Sequence, residues 1–417
     1  MKILHTSDWH LGRTFCGKKR TREFTAFFEW LLSVLDERKV DVLIVAGDIF
    51  DTTTPSTLSQ QLYYQFLCRA ASVENSRRHV VIVGGNHDSP SFLDAPKELL
   101  RFLDVHVVGA APGKMEDELL TIRGANGEPE LLVCAVPYLR DRDVRSLELN
   151  AESLQDKDRK LLEGIERHYR EAGRMAEEAR ASLGGDIPVV GTGHLFAAGG
   201  QIAEGDGVRD LYVGSLARVG AELFPSCFDY VALGHLHSPQ KVGGSEFVRY
   251  SGAPFPMSAR EAARGRKSVV LVEFGADEPS VEELPVPIFQ EFAYVSGDMA
   301  ALSRQLEELR QRNDEIWAEV FYEGQRLPYL REKVMEMVAG TKVEILKIRD
   351  ASAEARALGL NGMAFAENNL TDIGELNESD VFMRCMEKRT VPEEDRPELL
   401  DTYRQVLASV YEENTEI

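Results

Sequence analysis

Five short stretches of this chain carry side chains suited to holding a divalent metal. They are SDWH with Asp8 and His10, AGDIFD with Asp48, GGNHDSP with Asn86, His87 and Asp88, GTGH with His194, and ALGHLH with His235 and His237. Carboxylate, imidazole and amide oxygen together are the ligand set of a hard-to-borderline ion such as manganese(II) or iron(II). No thiolate accompanies them, which argues against a structural zinc site. Taken singly, each residue has an ordinary explanation. Asp8 could cap a helix, His10 could be a satisfied core histidine, and Asp48 follows a glycine as a turn residue would. Gly84, Gly85 and Asn86 also suit a turn. The recurrence is what singles the set out. Of nine histidines, the five in these stretches all fall just past an apolar run, whereas His5, His79, His106 and His168 do not and read as structural or surface residues.

Bringing five distant segments together requires a scaffold of strands that end side by side. Apolar runs rich in β-branched residues predict strands at 2–6, 40–46, 80–83, 131–137, 187–193, 228–233, 247–251 and 268–274. VDVLIVA at 40–46 is nearly continuous, the mark of a strand covered on both faces. Between strands, Phe24, Phe27, Phe28, Leu31 and Leu35 recur at helical spacing, predicting a helix over 23–38, with others over 58–71 and 154–183. The pattern implies an α/β fold over 1–280, and open α/β sheets place their ligands past the strand ends.

After PVPIF, which has the composition of a linker, strands at 291–295, 316–322 and 342–348 and helices at 299–312 and 328–339 predict a small α+β domain over 287–349. A polar linker is expected at 350–375. A helical pair within 376–417 follows, with Val381, Phe382 and Cys385 on one stripe and Leu399, Leu400, Tyr403 and Val406 on the other. So small a pair cannot bury its own stripes, so it either packs on its own chain or binds a partner.

At 417 residues the chain is long enough for two or three cores. Its net charge of −21 lowers the expectation of non-specific nucleic-acid binding, although bound cations can reverse the sign locally. Two basic clusters flank the candidate loops: Arg13, Lys18, Lys19, Arg20 and Arg22, then Arg260, Arg264, Arg266 and Lys267. They could contact DNA phosphates or be solvated loops. Five cysteines without a close pair point to a reducing compartment. MKILHTSDWH lacks the apolar run of a signal peptide, so a cytoplasmic location is expected.

The ordered set D-x-H, G-D, G-N-H-D, G-H and G-H-x-H resembles the calcineurin-like metallophosphoesterase superfamily, which implies a β-sandwich flanked by helices. More narrowly, SDWHLG, GDIFD, GGNHDSP, VALGHLH and YSGAPFPMS resemble the SbcD family, nuclease subunits of bacterial SbcC–SbcD complexes. The resemblance is specific over roughly 1–275 and looser beyond. It implies two divalent ions, manganese(II) first and iron(II) second. Asp8, His10 and His237 would hold one, Asn86, His194 and His235 the other, and Asp48 would bridge them. His87 would then be a catalytic acid rather than a ligand, since an ordinary pKa of about 6.5 suits protonation of a leaving oxygen. Asp88 would orient it or its turn.

One residue departs from the wider family. Archaeal and eukaryotic relatives carry a second histidine shortly after the bridging aspartate, where this chain has Asp51. The resemblance also implies a manganese-dependent DNA exonuclease and endonuclease acting on double-strand ends and hairpins in repair and recombination. The α+β domain would cap the site, the terminal helices would dock on the SMC-like ATPase SbcC, and a homodimer would form within a heterotetramer. Two alternatives make different demands. A stand-alone phosphodiesterase of small nucleotides needs neither partner nor terminal helices. A non-catalytic scaffold has no need of His87.

Overall fold

A computed structural model of the chain describes residues 1–73, 76–144, 154–197, 220–275 and 278–351, with scattered positions between 382 and 403. Two compact units emerge. One comprises Met1–Val295, Gln305–Glu319 and Met335–Lys347; the other comprises Ser296–Arg304, Val320–Val334 and Ile348–Ile417.

The first unit is built on two six-stranded sheets. We label the strands β1 (Lys2–Thr6), β2 (Val42–Ala46), β3 (His79–Val83), β4 (Val105–Val108), β5 (Leu119–Arg123), β6 (Pro129–Cys134), β7 (Val189–His194), β8 (Tyr230–Gly234), β9 (Gln240–Lys241), β10 (Val248–Tyr250), β11 (Ser268–Glu273) and β12 (Ser280–Pro285). The first sheet runs β12-β11-β1-β2-β3-β4 and the second β9-β10-β8-β7-β6-β5. In the first, β1 to β4 are parallel neighbours, with Ile3 opposite Val42 and Val45 opposite Ile82. In the second, β6, β7, β8 and β10 are parallel, with His194 opposite Gly234.

Alternation along each strand creates the layers, because successive side chains leave opposite faces. Ile3, Val42, Ile44, Val81 and Val83 meet Leu131, Val133, Val190, Tyr230 and Ala232 in one core. Their neighbours Leu4, Leu43, Val45, Val80 and Ile82 turn the other way and pack with Phe24, Phe27 and Leu31 of α1 (Thr21–Glu37) and Phe66 and Leu67 of α2 (Thr57–Ala71). On the second sheet Leu132, Val231 and Leu233 cluster with Tyr169, Ala172 and Ala176 of α3 (Leu154–Ser182). The result is a helix-flanked double sheet with three apolar layers. His5 ties the sheets directly, its ring nitrogens reaching Tyr230 Oη at 3.0 Å and the Leu233 carbonyl at 3.2 Å.

Several details depart from the sequence expectations. β4, β5, β9 and β12 have no sequence counterpart above, and β12 is an edge strand in which only Leu284 is buried. The expected PVPIF linker begins as part of the sheet, since Pro285 ends β12 and the buried Val286 donates its N–H to the Lys267 carbonyl. Strands β13 (Glu291–Gly297), β14 (Ile316–Tyr322) and β15 (Val343–Asp350) form a three-stranded sheet with β14 central, interleaved with α4 (Met299–Arg312) and α5 (Leu330–Met337). Helix α5 starts two residues later than expected because Tyr329 takes a left-handed backbone, φ 61°.

Beyond its first two residues the expected 350–375 linker lies outside the described residues, as does most of the 376–417 helical pair. Of that pair, Phe382 and Tyr403 stack with centroids 4.0 Å apart, and Met386 is buried.

Candidate metal centre

The five motif stretches all lie at strand ends, after β1, β2, β3 and β8 and on the last residue of β7. The loops are sewn together by backbone hydrogen bonds: Asp8 N–H donates to Gly47 O and His10 N–H to Asp48 O, each at 3.0 Å. Asp8, His10, Asp48 and His235 have φ of 54°, 45°, 51° and 101°, a region that non-glycine residues seldom occupy. Such strain costs on the order of 1–3 kcal/mol per residue and persists where the surroundings enforce it. Two glycines make the approach possible. A Cβ on Gly85 would collide with the backbone and carboxylate of Asp48, and one on Gly234 with the Ala46 carbonyl and His194 Nδ1.

Two groups of donors converge. Asp8, His10 and His237, all buried, place ligand atoms within 4.8 Å of one another, with His10 Nε2 and His237 Nε2 at 3.2 Å. Beside them Asn86 Oδ1 lies 3.0 Å from His194 Nε2 and 3.1 Å from His235 Nδ1. Between the groups stands Asp48. Its Oδ1 accepts the His87 N–H at 2.9 Å, and its Oδ2 is 3.6 Å from His10 Nε2 and 3.3 Å from His194 Nε2. His194 Nδ1 faces the Ala46 carbonyl at 2.9 Å, a bond that needs a proton on that nitrogen. In the protein alone these contacts are hydrogen bonds that draw on imidazole protons, and the same inward-facing nitrogens, carboxylate oxygens and amide oxygen are metal donors once those protons leave. Divalent cations fit that donor set.

The same crowding sets the charge states of the protein alone. Burial works to raise Asp48, but His194, His87 and His10 overcome it and hold its carboxyl well below the usual range. Burial lowers His194, yet adjacent Asp48 brings it up to about 9. Burial raises Asp8 to about 7, although Ser7 Oγ donates to it at 2.5 Å and the His235 N–H at 3.1 Å. His235 falls to about 3, through burial and then the neighbouring His194.

His87 adjoins the first group: with His10 and Asp48 it too brings ligand atoms within 4.8 Å of one another, and its ring lies 4.9 Å from that of His10. Its Nδ1 lies 3.0 Å from the Asp51 carbonyl and its Nε2 4.0 Å from Asp48 Oδ2. Asp88 does not reach the His87 ring. Its carboxylate accepts the N–H groups of Gly85, Ile49 and Phe50 at 2.9, 3.1 and 2.9 Å, so it fixes the turn that presents Asn86 and His87 and ties it to the Asp48 loop.

Residues 1–239 match the family model described as calcineurin-like phosphoesterase, and residues 288–390 match that described as type 5 capsule protein repressor C-terminal domain. The chain is 34% identical over 411 residues to the SbcD subunit of the SbcCD nuclease of Escherichia coli (strain K12), covering 98% of both. The chain belongs to the SbcD family. Its Rhodobacter capsulatus member is 38% identical over 297 residues, covering 69% of this chain and 70% of its own, and its Bacillus subtilis member is 34% identical over 275, covering 66% of each.

Within this SbcD-family chain the basic clusters fare differently from the histidines. Arg20, expected at a DNA contact, is 3% exposed. Its guanidinium donates to Glu23 at 2.6 and 2.9 Å and to the Pro256 carbonyl at 2.9 Å, and lies over Phe255 and Phe292. It is a buried strut, not a phosphate contact. Lys18 pairs with Glu344 at 2.6 Å, Arg13 with Asp51 at 3.1 Å, and Arg260 donates to Tyr294 Oη at 2.8 Å. Lys19 and Arg264 are exposed.

Lys267 is buried too, paired with buried Glu261, and its Nζ donates to the His237 carbonyl at 2.9 Å. Sequence reasoning placed it in a surface cluster and missed that it anchors a candidate ligand loop. The available signal was its place in RKSVVLVEF, directly before a strand.

Proposed function

We infer that this chain is the metal-dependent nuclease subunit of an SbcC–SbcD complex, hydrolysing DNA phosphodiesters. The observation that carries the reading is Asp48 Oδ2 standing between His10 and His194, with His87 Nε2 4.0 Å away and its Nδ1 on the Asp51 carbonyl. The near full-length likeness to a protein named as a subunit of the SbcCD nuclease supports the substrate class.

Asp8, His10 and His237 would hold one ion and Asn86, His194 and His235 the other, with Asp48 shared. Two such ions, manganese(II) first and iron(II) second, supply an activated water and a clamp on the phosphate. The protein supplies alignment and a proton. The His87 Nδ1–H donates to the Asp51 carbonyl, which turns Nε2 toward the centre. From there His87 can hand its Nε2 proton to the oxygen leaving phosphorus as the P–O bond breaks. Asp88 keeps that ring in register through its three backbone bonds. Lys19, Arg264, Lys18 and Arg260 would contact the DNA backbone, the last three on giving up their present partners.

Partners and place follow from the same reading. Double-strand ends and hairpins are the proposed substrates, with SbcC engaging the terminal helices around Phe382 and Tyr403. Leu99 and Phe102, 74% and 80% exposed, suit a homodimer contact. Among the described residues no helix is long and apolar enough to cross a membrane, and Cys16, Cys68, Cys134 and Cys227 are unpaired, in keeping with a cytoplasmic site.

The test compares wild type with His87→Ala on hairpin DNA, blunt duplex DNA and bis-p-nitrophenyl phosphate, counting bound manganese in each. The variant should keep two ions and lose DNA cleavage by about 10²–10⁴-fold. If wild type cleaves only the small ester, with or without SbcC, the small-nucleotide phosphodiesterase replaces this reading.

A further inference from the structure

Asp51 is a carboxylate beside the centre for which the ligand assignment has no task. Its Oδ1 lies 3.4 Å from His10 Nδ1 and 3.1 Å from Arg13 Nη1, and its side chain is 25% exposed. The loop that holds it is well fixed. Its N–H donates to the Leu11 carbonyl at 3.3 Å, and its own carbonyl receives His87 Nδ1. On the other side the His10 ring is 1% exposed, and its buried Nδ1 closes no hydrogen bond in this arrangement, the Asp51 carboxylate that it faces standing 3.4 Å away.

A neutral imidazole carries one proton, and the second nitrogen is then an acceptor. With the proton on Nδ1, His10 donates toward Asp51 and turns an Nε2 lone pair to His237 and Asp48. With the proton on Nε2, an Nδ1 lone pair would oppose the carboxylate in a buried place, and the nitrogen facing the donor cluster would be blocked. We propose that Asp51 is a positioning residue that holds His10 in the Nδ1-protonated form, leaving Nε2 for the metal, and that Arg13 balances the Asp51 charge so that an incoming phosphate is not repelled. The inference rests on His10 being a ligand, as argued above. It gives Arg13 a role distinct from a simple phosphate contact. It also separates Asp51 from a proton donor to substrate, because the carboxylate already serves two cations or N–H groups of the protein.

The experiment titrates manganese(II) into the full-length protein by electron paramagnetic resonance. It compares wild type with Asp51→Leu, Asp51→Asn, Arg13→Ala and His10→Ala, each checked for an unchanged melting curve. Asp51→Leu should weaken one of the two binding events by about 10–100-fold and leave the other in place, as loss of a carboxylate behind a ligand histidine does. Asp51→Asn, whose amide oxygen still accepts, should recover part of that loss. Arg13→Ala should leave both affinities as in wild type and raise KM for duplex DNA. A second readout needs no metal: in protein with ¹⁵N-labelled histidine, the His10 signals should report protonated Nδ1 in wild type and a tautomer mixture in Asp51→Leu. Wild-type affinities in both Asp51 variants, with an unchanged His10 spectrum, would overturn the proposal. If His10→Ala itself binds two ions as tightly as wild type, the ligand reading fails instead, and the two failures are told apart.

Discussion

The strand-end histidines and the basic clusters were both legible as runs of polar residues at loops, yet the structure uses them in opposite ways. The histidine and aspartate side chains leave their own loops and converge, so that His10 and His237, 227 residues apart in sequence, face each other at 3.2 Å. Many of the basic side chains turn back instead. Arg20 is used by Glu23, Lys267 by Glu261, and Lys18 by Glu344. What separates the two is recurrence in a fixed relation to a strand. One imidazole after an apolar run means little, but five of them at strand ends bring their rings to one place. Lysines and arginines have long stems that reach local partners from almost any position, so their clustering in sequence says little about where their charges end up.

The sharpest way to break that contrast is to destroy convergence without touching a donor. Gly85 carries no functional group, but a Cβ there would run into Asp48. If Asp48 is the shared ligand, Gly85→Ala should abolish divalent-metal binding there and lower DNA cleavage by about 10⁴-fold, in line with the several kcal/mol of transition-state stabilisation that metal assistance supplies. Metal counting by mass spectrometry under native conditions, beside a cleavage assay, reads both. Retention of two ions and of activity would mean that the loops adapt, and that the cage is less constrained than its geometry implies.

The next largest effect belongs to the basic side. Lys267→Met leaves the buried Glu261 carboxylate with the Met257 N–H but without the ammonium charge, while removing the donor to the His237 carbonyl. Breaking a buried pair on one side costs about 3–5 kcal/mol, read by denaturant unfolding. Adding Glu261→Gln should recover much of the stability and little of the manganese affinity, because the donor to the His237 loop is still missing. Recovery of both together would reduce Lys267 to a core ion pair.

These variants also mark where sequence reasoning reached and where it stopped. The buried strands were visible because burial on both faces leaves continuous apolar runs, as in VLIVA of β2. β12 was invisible for the opposite reason: as an edge strand it buries little beyond Leu284 and reads as a charged segment, SVEELP. The donor residues were visible from type and position. Their left-handed backbones, the tasks of Asp51 and Lys267, and the burial of Arg20 depend on contacts between segments far apart in the chain. No local pattern carries that information.

His5 sharpens the histidine half of the contrast. It lies three residues before the first motif aspartate, yet serves only to join the two sheets. Burial lowers its pKa to about 3, so the folded protein holds it neutral. The unfolded chain takes up a proton below about pH 6.5, and the folded protein does not until about pH 3. Stability contributed by this group is therefore whole above pH 6.5 and lost as pH falls, by about 2 kcal/mol between pH 6.5 and 5. In His5→Gln, unfolding measured across that range should show a shallower slope. An unchanged slope would place the acid sensitivity with other groups.

The smallest effect separates two adjacent residues. Lys19 is exposed beside the buried Arg20. Lys19→Ala should change folding stability by less than about 0.5 kcal/mol, the usual range for a surface substitution. If Lys19 touches a DNA phosphate, the salt dependence of binding should fall by about 0.9 in log–log slope, one counterion fewer released. Arg20→Ala should do the reverse, lowering stability through the stranded Glu23 with no change in slope beyond that of the weakened fold. Titrations at several salt concentrations, with both variants kept well below their melting temperatures, read the two slopes side by side. Should Lys19→Ala leave the slope intact, Lys19 would join Arg20 and Lys18 as a residue whose charge serves the protein itself. The DNA path would then have to run over the second basic cluster, where Arg264 and Arg266 are exposed after YSGAPFPMS.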